Sequence, residues 1–447
     1  MAGDMTPSIA DEVIVVGGGL AGCEAAFQIA KSGVKVRLYE MRPEVNTPAH
    51  RTGLLGELVC SSSLKSNSLG NAHGLLKHEM RVLGSIVVQC ADETSVPGGD
   101  ALCVDREAFS RLLTDRIEQN PNISVVREQV NAIPPERPLI IATGPLTSSG
   151  LSDAIKEVTG SDNLHFFDAI APSVDVDSID ESRVFRQARY DKGEPAYINC
   201  PMDESQYEGF IDALLEAKTA NLHLEEEKEV RYFEGCLPIE VIARRGRETL
   251  AHGTMKPVGL TDPRSGEMAH AVVQLRQENK EATIYGLVGF QTQLRPSEQG
   301  RVFRMIPGLE NAEFVRYGAV HRNTYLNAPK LLTSFLHTKL DMGFFFAGQI
   351  VGVEGYMESA ASGLMAGVNA ARVALGEKPI VPPRETMIAS LVDYVENCPV
   401  DDYQPMNSNF GLLPPIPKVR PKKLRKEKMS ERGIKAMQEF ASANGLD

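Results

Sequence analysis

Two cysteines of this chain lie in segments whose composition suits chemistry. Cys60 lies in GELVCSSSLKSNSLGNAHGLL, a stretch rich in serine, asparagine and glycine, and Cys236 lies between glycine and Leu-Pro in RYFEGCLPIE. A loop of this kind runs over the surface or lines a cleft. A thiolate there can act as a nucleophile. Because a lone cysteine is more often a small buried apolar residue, the residue types leave both interpretations open.

The remaining cysteines do not add a recognisable site. The chain has seven cysteines, with no CxxC and no HxxxH spacing. An odd number at scattered spacings predicts no disulfide framework, and the missing spacings predict no zinc site. Cys23, within the first predicted helix, is expected to pack in the core. We therefore expect no metal in the functional site.

A glycine turn near the N-terminus has the spacing of a dinucleotide-binding unit. It lies in DEVIVVGGGLAGCEAAFQIAKSGVKVRLYEMRP, which predicts strand, turn, helix and strand. The turn matches GxGxxG and consists of Gly17, Gly18, Gly19, Leu20, Ala21 and Gly22. Gly17 permits the tight turn, Gly19 lets the backbone approach a pyrophosphate, and Gly22 allows close packing of the helix. Glu40 ends the second strand, where a ribose hydroxyl would bind.

Two later segments indicate that the dinucleotide is FAD. The stretch LIIATGP (139–145) resembles the second signature of flavoproteins with two dinucleotide folds. The stretch GFFFAGQIVGVEGYMESAASGLMAGVNAARVAL (343–375) resembles the flavin-side motif, in which a strand ends in glycine and a polar residue beside the ribityl chain. Those two residues are Gly348 and Gln349 here, although the usual polar residue is aspartate.

The length of 447 residues predicts more than one domain. We predict an α/β fold, with a Rossmann-like two-dinucleotide-fold FAD domain formed by residues 1–160 and 331–415. Residues 161–330 are predicted to form an inserted, smaller α+β domain. Its signals include the helix DESQYEGFIDALLEA, capped by Asp203, and the strand-like EATIYGLVGF. Residues 416–447 form a basic tail that is predicted to end in a helix.

The charge is unevenly distributed. The formal net charge is -12, yet KVRPKKLRKEK (418–428) carries seven basic residues against the single acid Glu427. This run can contact phosphate, or it can be a solvated tail that improves solubility. The first residues do not resemble a secretory signal, and no window is apolar enough to span a bilayer. We therefore expect a cytoplasmic protein with no membrane partner.

Several longer motifs carry a family resemblance. They are GGGLAGCEAA, LVCSSSLKSNS, YFEGCLPIE, RGRETLAHGTMKPVGL, LVGFQTQLR and FFFAGQIVGVEGYMESAASGL. Together these motifs resemble the folate- and FAD-dependent tRNA uracil-5-methyltransferases (TrmFO), from about residue 10 to 410. The related FAD proteins that modify wobble uridines are longer, and this chain is too short for their extra C-terminal helical domain.

The resemblance implies an activity and roles for both thiols. The family transfers a one-carbon unit from 5,10-methylenetetrahydrofolate to C5 of uridine 54 in the T loop of tRNA, and FAD reduced by NADPH or NADH supplies the reducing equivalents. By the family pattern Cys236 adds to C6 of uracil and Cys60 is the general base, although the reverse assignment stays open. A cluster of Arg244, Arg245 and Arg247 is a candidate for lowering the pKa of the nucleophile.

Two other functions remain open from the sequence. One is an FAD oxidoreductase of small molecules, in which the cysteines are structural and the basic tail is incidental. The other is a noncatalytic flavoprotein of tRNA modification that binds tRNA or a partner. The oligomeric state is not predicted. Dependence of the reaction on both folate and tRNA separates the methyltransferase from these alternatives.

Overall fold

The structure is a computed structural model. It describes residues 10–47, 49–160, 164–169, 171–191, 194–219, 237–279, 282–318, 320–400, 403–417 and 421–446.

The strands within these ranges are β1 (Glu12–Val16), β2 (Lys35–Tyr39), β3 (Ser63–Ser66), β4 (Ser95–Val96), β5 (Ala101–Val104), β6 (Ile123–Val126), β7 (Leu139–Ile141), β8 (Leu164–Ala169), β9 (Ser173–Asp175), β10 (Phe185–Arg186), β11 (Tyr197–Met202), β12 (Ala271–Gln277), β13 (Ile284–Leu287), β14 (Phe314–Arg316), β15 (Val320–Tyr325) and β16 (Phe344–Phe346).

The helices are α1 (Leu20–Lys31), α2 (Ala72–Val82), α3 (Ile86–Glu93), α4 (Arg106–Glu118), α5 (Ser149–Thr159), α6 (Glu204–Glu216), α7 (Ile239–Arg244), α8 (Thr249–His252), α9 (Pro296–Phe303), α10 (Ala328–Leu331), α11 (Tyr356–Ala374), α12 (Met387–Asn397) and α13 (Lys422–Asn444).

A parallel sheet forms the centre of the first core. Its strand order is β16-β7-β1-β2-β6, and every neighbouring pair is parallel. The central strands are short apolar runs because both faces of such a sheet are buried. Strands from both ends of the chain lie in it, with β16 hydrogen-bonded to β7. The predicted α/β class with a Rossmann-like sheet is therefore confirmed.

Helix α11 returns the C-terminal part of the chain to the first βαβ unit. It packs on α1 at two glycines. A Cβ atom at Gly363 would lie 2.2 Å from the Ala21 carbonyl oxygen, and one at Gly367 would lie 2.6 Å from the Ala25 carbonyl oxygen. Any larger residue at these positions would push the two helices apart. The glycines thus permit direct backbone contact between α1 and α11.

An antiparallel sheet organises the second core. Its strand order is β10-β11-β12-β13-β9-β14, and α6, α7 and α9 bury apolar side chains against it. Helix α6 begins at Asp203, whose carboxylate accepts from the Gln206 backbone N–H in a capping box, as the sequence predicted. Strands β8 and β15 pair in antiparallel fashion and are the two connections between the cores. The predicted domain boundaries stay predictions.

The two cores meet beside the Cys60 loop. Strand β3 follows this loop and pairs with β5 in a small antiparallel sheet. Across the junction, Arg106 forms an ion pair with Glu278 at 2.7 Å. The Ser62 hydroxyl donates to the Gln277 carbonyl oxygen. The loop that carries Cys60 is therefore held between the parallel-sheet core and the antiparallel sheet.

The C-terminal helix begins earlier than the sequence predicted. The sequence predicted this helix only over SERGIKAMQEFASA. In the structure, helix α13 begins at Lys422, inside the basic run. It buries Met429 and Met437 in the first core, and the Ser430 hydroxyl donates to the Leu69 carbonyl oxygen. In the part of the chain that the structure describes, no helix is both long and apolar enough to cross a bilayer.

A buried lysine supports the strand that follows Cys60. The ammonium of Lys77, on α2, donates to the Leu64 carbonyl oxygen at 2.8 Å, and the side chain is fully buried. Burial disfavours the charged form and lowers the pKa of Lys77 to about 7. Nearby Glu358 acts in the opposite direction but does not reverse this shift.

This pKa predicts how stability depends on pH. Between about pH 7 and the ordinary lysine pKa of about 10.4, the unfolded chain holds a proton that the folded protein has released. The free energy of unfolding of the wild type should therefore rise relative to that of Lys77→Met, by up to about 1.4 kcal/mol per pH unit.

The measurement is urea unfolding of both proteins at pH 6, 8 and 10. Taking the difference between them cancels the titration of the other groups. A difference that is constant across this range would show that Lys77 keeps its proton in the folded protein.

Candidate active site

A cleft lies at the carboxyl ends of β1, β7 and β16. Ligands of open α/β sheets bind at this edge. Of the residues predicted to bind a cofactor, those lining the cleft are Gly17, Gly18, Gly19, Leu20, Ala21, Glu40, Gly348 and Gln349. Gly22 does not line it. The remaining walls include segment 128–130, where no site was predicted, and segment 142–148, which begins inside the LIIATGP signature (139–145).

The glycines of the turn have different spatial roles. Gly17 has φ of 111°, a conformation that favours glycine. A Cβ atom at Gly22 would lie 1.7 Å from the Gly17 carbonyl oxygen, so Gly22 permits the helix to begin directly behind the turn. A Cβ atom at Gly19 would meet no atom within 4 Å. Gly19 therefore keeps the backbone open toward the cleft.

Glu40 is held as a carboxylate at the floor of the cleft. One carboxylate oxygen accepts from the Gly18 N–H at 2.9 Å, and the other accepts from the Arg42 Nε at 2.8 Å. Burial alone would raise the pKa of Glu40, but the Arg42 side chain and the two backbone N–H donors outweigh it and lower the pKa. The fixed oxygens retain lone pairs, so they can accept from ribose hydroxyls.

Gly348 and Gln349 lie where β16 ends. Gly348 has φ of 86°, and its N–H donates to the buried Ser362 hydroxyl at 2.7 Å. The Gln349 side-chain amide donates to the Glu354 carboxylate at 2.7 Å. This contact uses one N–H of the Gln349 amide, and Gln349 also lines the cleft.

Cys60 lies beside this cleft, because the adjacent Val59 lines it and so does Tyr356, which Cys60 contacts at the start of α11. The Tyr356 hydroxyl accepts from the Cys60 N–H at 2.8 Å and from the Ser61 N–H at 3.3 Å. The same hydroxyl donates to the Cys60 Sγ at 3.0 Å. Burial raises the pKa of Tyr356 well above its ordinary value, so the phenol keeps this proton. A phenol that donates to sulfur favours the thiolate over the thiol.

Arginines of the antiparallel sheet contact the residues on either side of Cys60. Arg276 on β12 donates to the Ser61 hydroxyl at 2.6 Å. Arg316 on β14 donates to the Val59 carbonyl oxygen at 3.2 Å. Neither arginine nor Tyr356 was predicted from the sequence, because each is far from Cys60 in the chain and none has a diagnostic spacing to it.

A buried charge cluster lies at the start of α11. The Glu358 carboxylate pairs with His73 at 3.0 Å and accepts from the Ser408 N–H. Burial alone would raise the pKa of Glu358, but Lys65 and His73 outweigh it and hold the pKa well below its usual range. Lys65 has φ of 62°, a backbone conformation that is costly for a residue with a side chain.

Cys236, predicted as the nucleophile, lies outside the described residues. The arginines proposed to activate it are in part engaged elsewhere, since Arg247 pairs with Glu208 and Asp212 of α6.

Cys23 is buried, and burial raises the pKa of its thiol. The described ranges contain no group of three or more His, Cys, Asp or Glu side chains arranged to hold a metal.

These residues fit a bound dinucleotide. Gly19 leaves room for a pyrophosphate at the N-terminus of α1, where unpaired N–H groups attract anions. The Glu40 carboxylate lies at the end of the neighbouring strand, and the cleft continues past Gly348 to Tyr356. A ligand that extends from Glu40 to Tyr356 would reach the Cys60 loop.

Comparison with known proteins agrees with this geometry. Residues 12–378 match the model of the family described as "Glucose inhibited division protein A". Two crystal forms of Aquifex aeolicus GidA have the same fold, each with a TM-score of 0.69 and 19% identity. The first alignment covers 99% of this chain and 75% of the GidA chain, and the second covers 98% and 76%.

Relatives of much higher identity carry a more specific name. A protein of Pelotomaculum thermopropionicum is 56% identical over 429 residues, which is 96% of this chain and 98% of the relative. A protein of Brevibacillus brevis is 54% identical with the same coverage. Both are named "Methylenetetrahydrofolate--tRNA-(uracil-5-)-methyltransferase TrmFO". At this identity along almost its whole length, the chain belongs to the TrmFO family.

Proposed function

We propose that this protein transfers a one-carbon unit from 5,10-methylenetetrahydrofolate to C5 of uridine 54 in the T loop of tRNA. One observation carries the proposal: the thiol of Cys60 is held by the hydroxyl of Tyr356, a residue that lines the dinucleotide cleft. The names of the relatives, which specify methylenetetrahydrofolate, tRNA and uracil C5, agree with it.

The reaction explains why two separate thiols are needed. C5 of uracil is a weak nucleophile until a thiolate adds to C6, which turns C5 into an enolate carbon. We assign this addition to Cys236. After C5 has bonded to the one-carbon unit, its proton must leave so that the Cys236 sulfur can be eliminated from C6. We assign removal of that proton to Cys60.

Tyr356 suits Cys60 to this role. Its hydroxyl donates to the sulfur, which stabilises the thiolate, the form that accepts a proton. The same oxygen accepts from the N–H groups of Cys60 and Ser61, so the loop backbone and the thiol are oriented together. Tyr356 is thus a positioning residue that acts through Cys60.

The cofactor we propose is FAD, held by the glycine turn, Glu40 and the Gly348-Gln349 pair. When bound and reduced by NADPH or NADH, it supplies the hydride that converts the transferred carbon to a methyl group. The chain itself orients the pyrophosphate at α1 and the ribose at Glu40.

Two alanine substitutions in the glycine turn should separate folding from FAD binding. Gly22→Ala places a methyl group against the Gly17 carbonyl oxygen, so it should destabilise the protein with or without FAD, by about 1–3 kcal/mol. The methyl group added by Gly19→Ala contacts no protein atom, so the melting temperature of the apoprotein should stay unchanged. The same methyl group projects toward the cleft and should weaken FAD binding. Thermal unfolding of apoprotein and FAD titration measure both effects. Unchanged FAD affinity of Gly19→Ala would contradict this role for the turn.

The activity is tested by label incorporation. FAD-loaded protein is mixed with unmodified tRNA transcript, NADPH and 5,10-methylenetetrahydrofolate labelled in its one-carbon unit. Labelled S-adenosylmethionine serves as the parallel donor. We expect labelled 5-methyluridine at position 54 from the folate alone. Cys236→Ala and Cys60→Ala should each lower the rate by about 100-fold or more, since each removes a group that takes part in the chemical step.

Cys398→Ala is the matched control, because Cys398 is also half-buried but lies at the end of α12. It should keep full activity. RNA containing 5-fluorouridine should trap a covalent adduct on Cys236, and an adduct on Cys60 would reverse the two roles. No label from either donor, with FAD bound and reducible, would reject the methyltransferase and favour a small-molecule oxidoreductase.

The basic start of α13 supports tRNA as the partner. Lysine and arginine dominate its first two turns, although cations are unfavourable at a helix N-terminus. The ammonium of Lys426 lies 5.6 Å from the centre of the Phe410 ring, and Lys428 is exposed. The N–H of Ser408, near Phe410, donates to Glu358 at the start of α11. This basic surface therefore adjoins the candidate active site, where phosphates of a bound tRNA would neutralise it.

Replacing two lysines should weaken tRNA binding in a salt-dependent way. For Lys426→Gln/Lys428→Gln, the slope of log K against log salt should fall in magnitude by roughly 0.7 to 0.9 for each phosphate that is no longer neutralised. Lys435→Gln, farther along the same helix and near Glu439, is the control and should match the wild type. Filter binding at four salt concentrations gives the slopes. Equal slopes for all three proteins would exclude this surface as a tRNA contact.

A further inference from the structure

A second cleft lies at the junction of the two cores. It is bordered by segment 49–59, the start of α4, residues 278 and 279 after β12, and β14. Glu57 and Val59 line both this cleft and the dinucleotide cleft. A ligand that occupies the Cys60 end of the first cleft can therefore extend past Val59 into the second.

Two arginines and one glutamate form the floor of this second cleft. The Glu278 carboxylate lies 2.7 Å from an Arg106 guanidinium nitrogen and 3.5 Å from one of Arg316. Both nitrogens approach the same carboxylate oxygen, while the other oxygen accepts from the Ser173 hydroxyl at 2.7 Å. Two positive charges thus share one negative charge, which leaves the floor with one excess positive charge.

The floor also has unused hydrogen-bonding capacity. The Nε atoms of Arg106 and Arg316 are buried and make no hydrogen bond in the part of the chain that is described. Buried donors of this kind are rare because leaving them unpaired is costly. Both arginines line the cleft, and guanidinium groups bind carboxylates and phosphates with paired hydrogen bonds.

The other carboxylates around the cleft already have partners. Glu57 accepts from Arg42, and also from the N–H groups of Arg51 and Thr52. Asp105 caps α4 by accepting from the Ala108 N–H.

Among the arginines, Arg111 is paired with Glu107 at the exposed surface. Arg51 forms no side-chain hydrogen bond or ion pair with the residues in the described ranges. Arginine side chains therefore lie both at the floor, at Arg106 and Arg316, and at the mouth, at Arg51 and Arg111.

We propose that this interdomain cleft binds the glutamyl tail of the folate cosubstrate. The proposal rests on the proposed function, since it presupposes a folate whose ring system lies at the Cys60 end of the first cleft. The first glutamyl carboxylates meet the guanidinium groups of Arg106 and Arg316, and further glutamates of a polyglutamate meet Arg51 and Arg111. The phosphates of a nicotinamide dinucleotide share the same anionic chemistry, so the experiment separates these ligands.

The test compares three ligands on full-length, FAD-loaded protein. Tetrahydrofolate monoglutamate, tetrahydrofolate triglutamate and NADP⁺ are titrated anaerobically, with the flavin absorbance or the heat of binding as the signal. For the wild type, the triglutamate should bind roughly tenfold or more tightly than the monoglutamate, because added carboxylates meet added arginines.

Arg51→Gln/Arg111→Gln should remove that preference and leave monoglutamate affinity within about twofold. Both residues are exposed at the mouth, so the variant is expected to fold. Arg384→Gln, which removes an equally exposed arginine paired with Asp393, is the control and should keep the preference. Arg106→Lys should lower the affinity for both folates about tenfold, because an ammonium group cannot form the paired hydrogen bonds of a guanidinium group.

The remaining outcomes contradict the proposal in distinguishable ways. One such outcome is that both folates bind the wild type equally well and that Arg51→Gln/Arg111→Gln changes neither affinity. In that case the cleft does not hold the glutamyl tail, while the proposed function stands. If Arg51→Gln/Arg111→Gln and Arg106→Lys weaken the binding of NADP⁺ alone, the cleft is a nicotinamide dinucleotide site and the folate assignment is wrong. If FAD-loaded wild type binds neither folate, the proposed function fails as well.

Discussion

The close packing of α11 on α1 is the constraint on which the candidate site depends. Backbone contact at Gly363 and Gly367 brings the C-terminal part of the chain onto the first βαβ unit. It aligns the N-terminus of α11 with the dinucleotide cleft, and so brings Tyr356 within hydrogen-bonding distance of Cys60. A methyl group at either glycine would separate the helices and move the Tyr356 hydroxyl away from the Cys60 sulfur.

The second constraint acts from the opposite side. The segment from Val59 to Ser61 is contacted by Arg316 and Arg276 of the antiparallel sheet and by Tyr356 of the first core. A reactive thiol in a mobile loop would not be aligned with a substrate, since orientation contributes much of the rate. Here the loop is held by charged and polar contacts from both cores. The role proposed for Cys60 therefore depends on the interface between them rather than on either core alone.

Much of the fold followed from local patterns. The apolar run around Val15 predicted the first strand, and the capping residue Asp203 predicted the start of α6. The prediction for helix α13 was too short, because the basic residues at its start oppose the helix dipole and do not resemble a helix N-terminus. Its burial of Met429 and Met437 against the first core compensates for this unfavourable start.

The order of residues along the chain was enough to predict the dinucleotide turn, the acid at Glu40 and the presence of two isolated thiols. These predictions depend on residues only a few positions apart, because such short spacings directly determine the local backbone conformation and the periodicity of the pattern. The contact of Tyr356 with Cys60, and the sharing of Glu278 by Arg106 and Arg316, became visible only in the folded chain. Partners so far apart along the chain meet because the glycine-mediated helix contact and the junction of the two sheets bring them together. Local spacing carries no information about either.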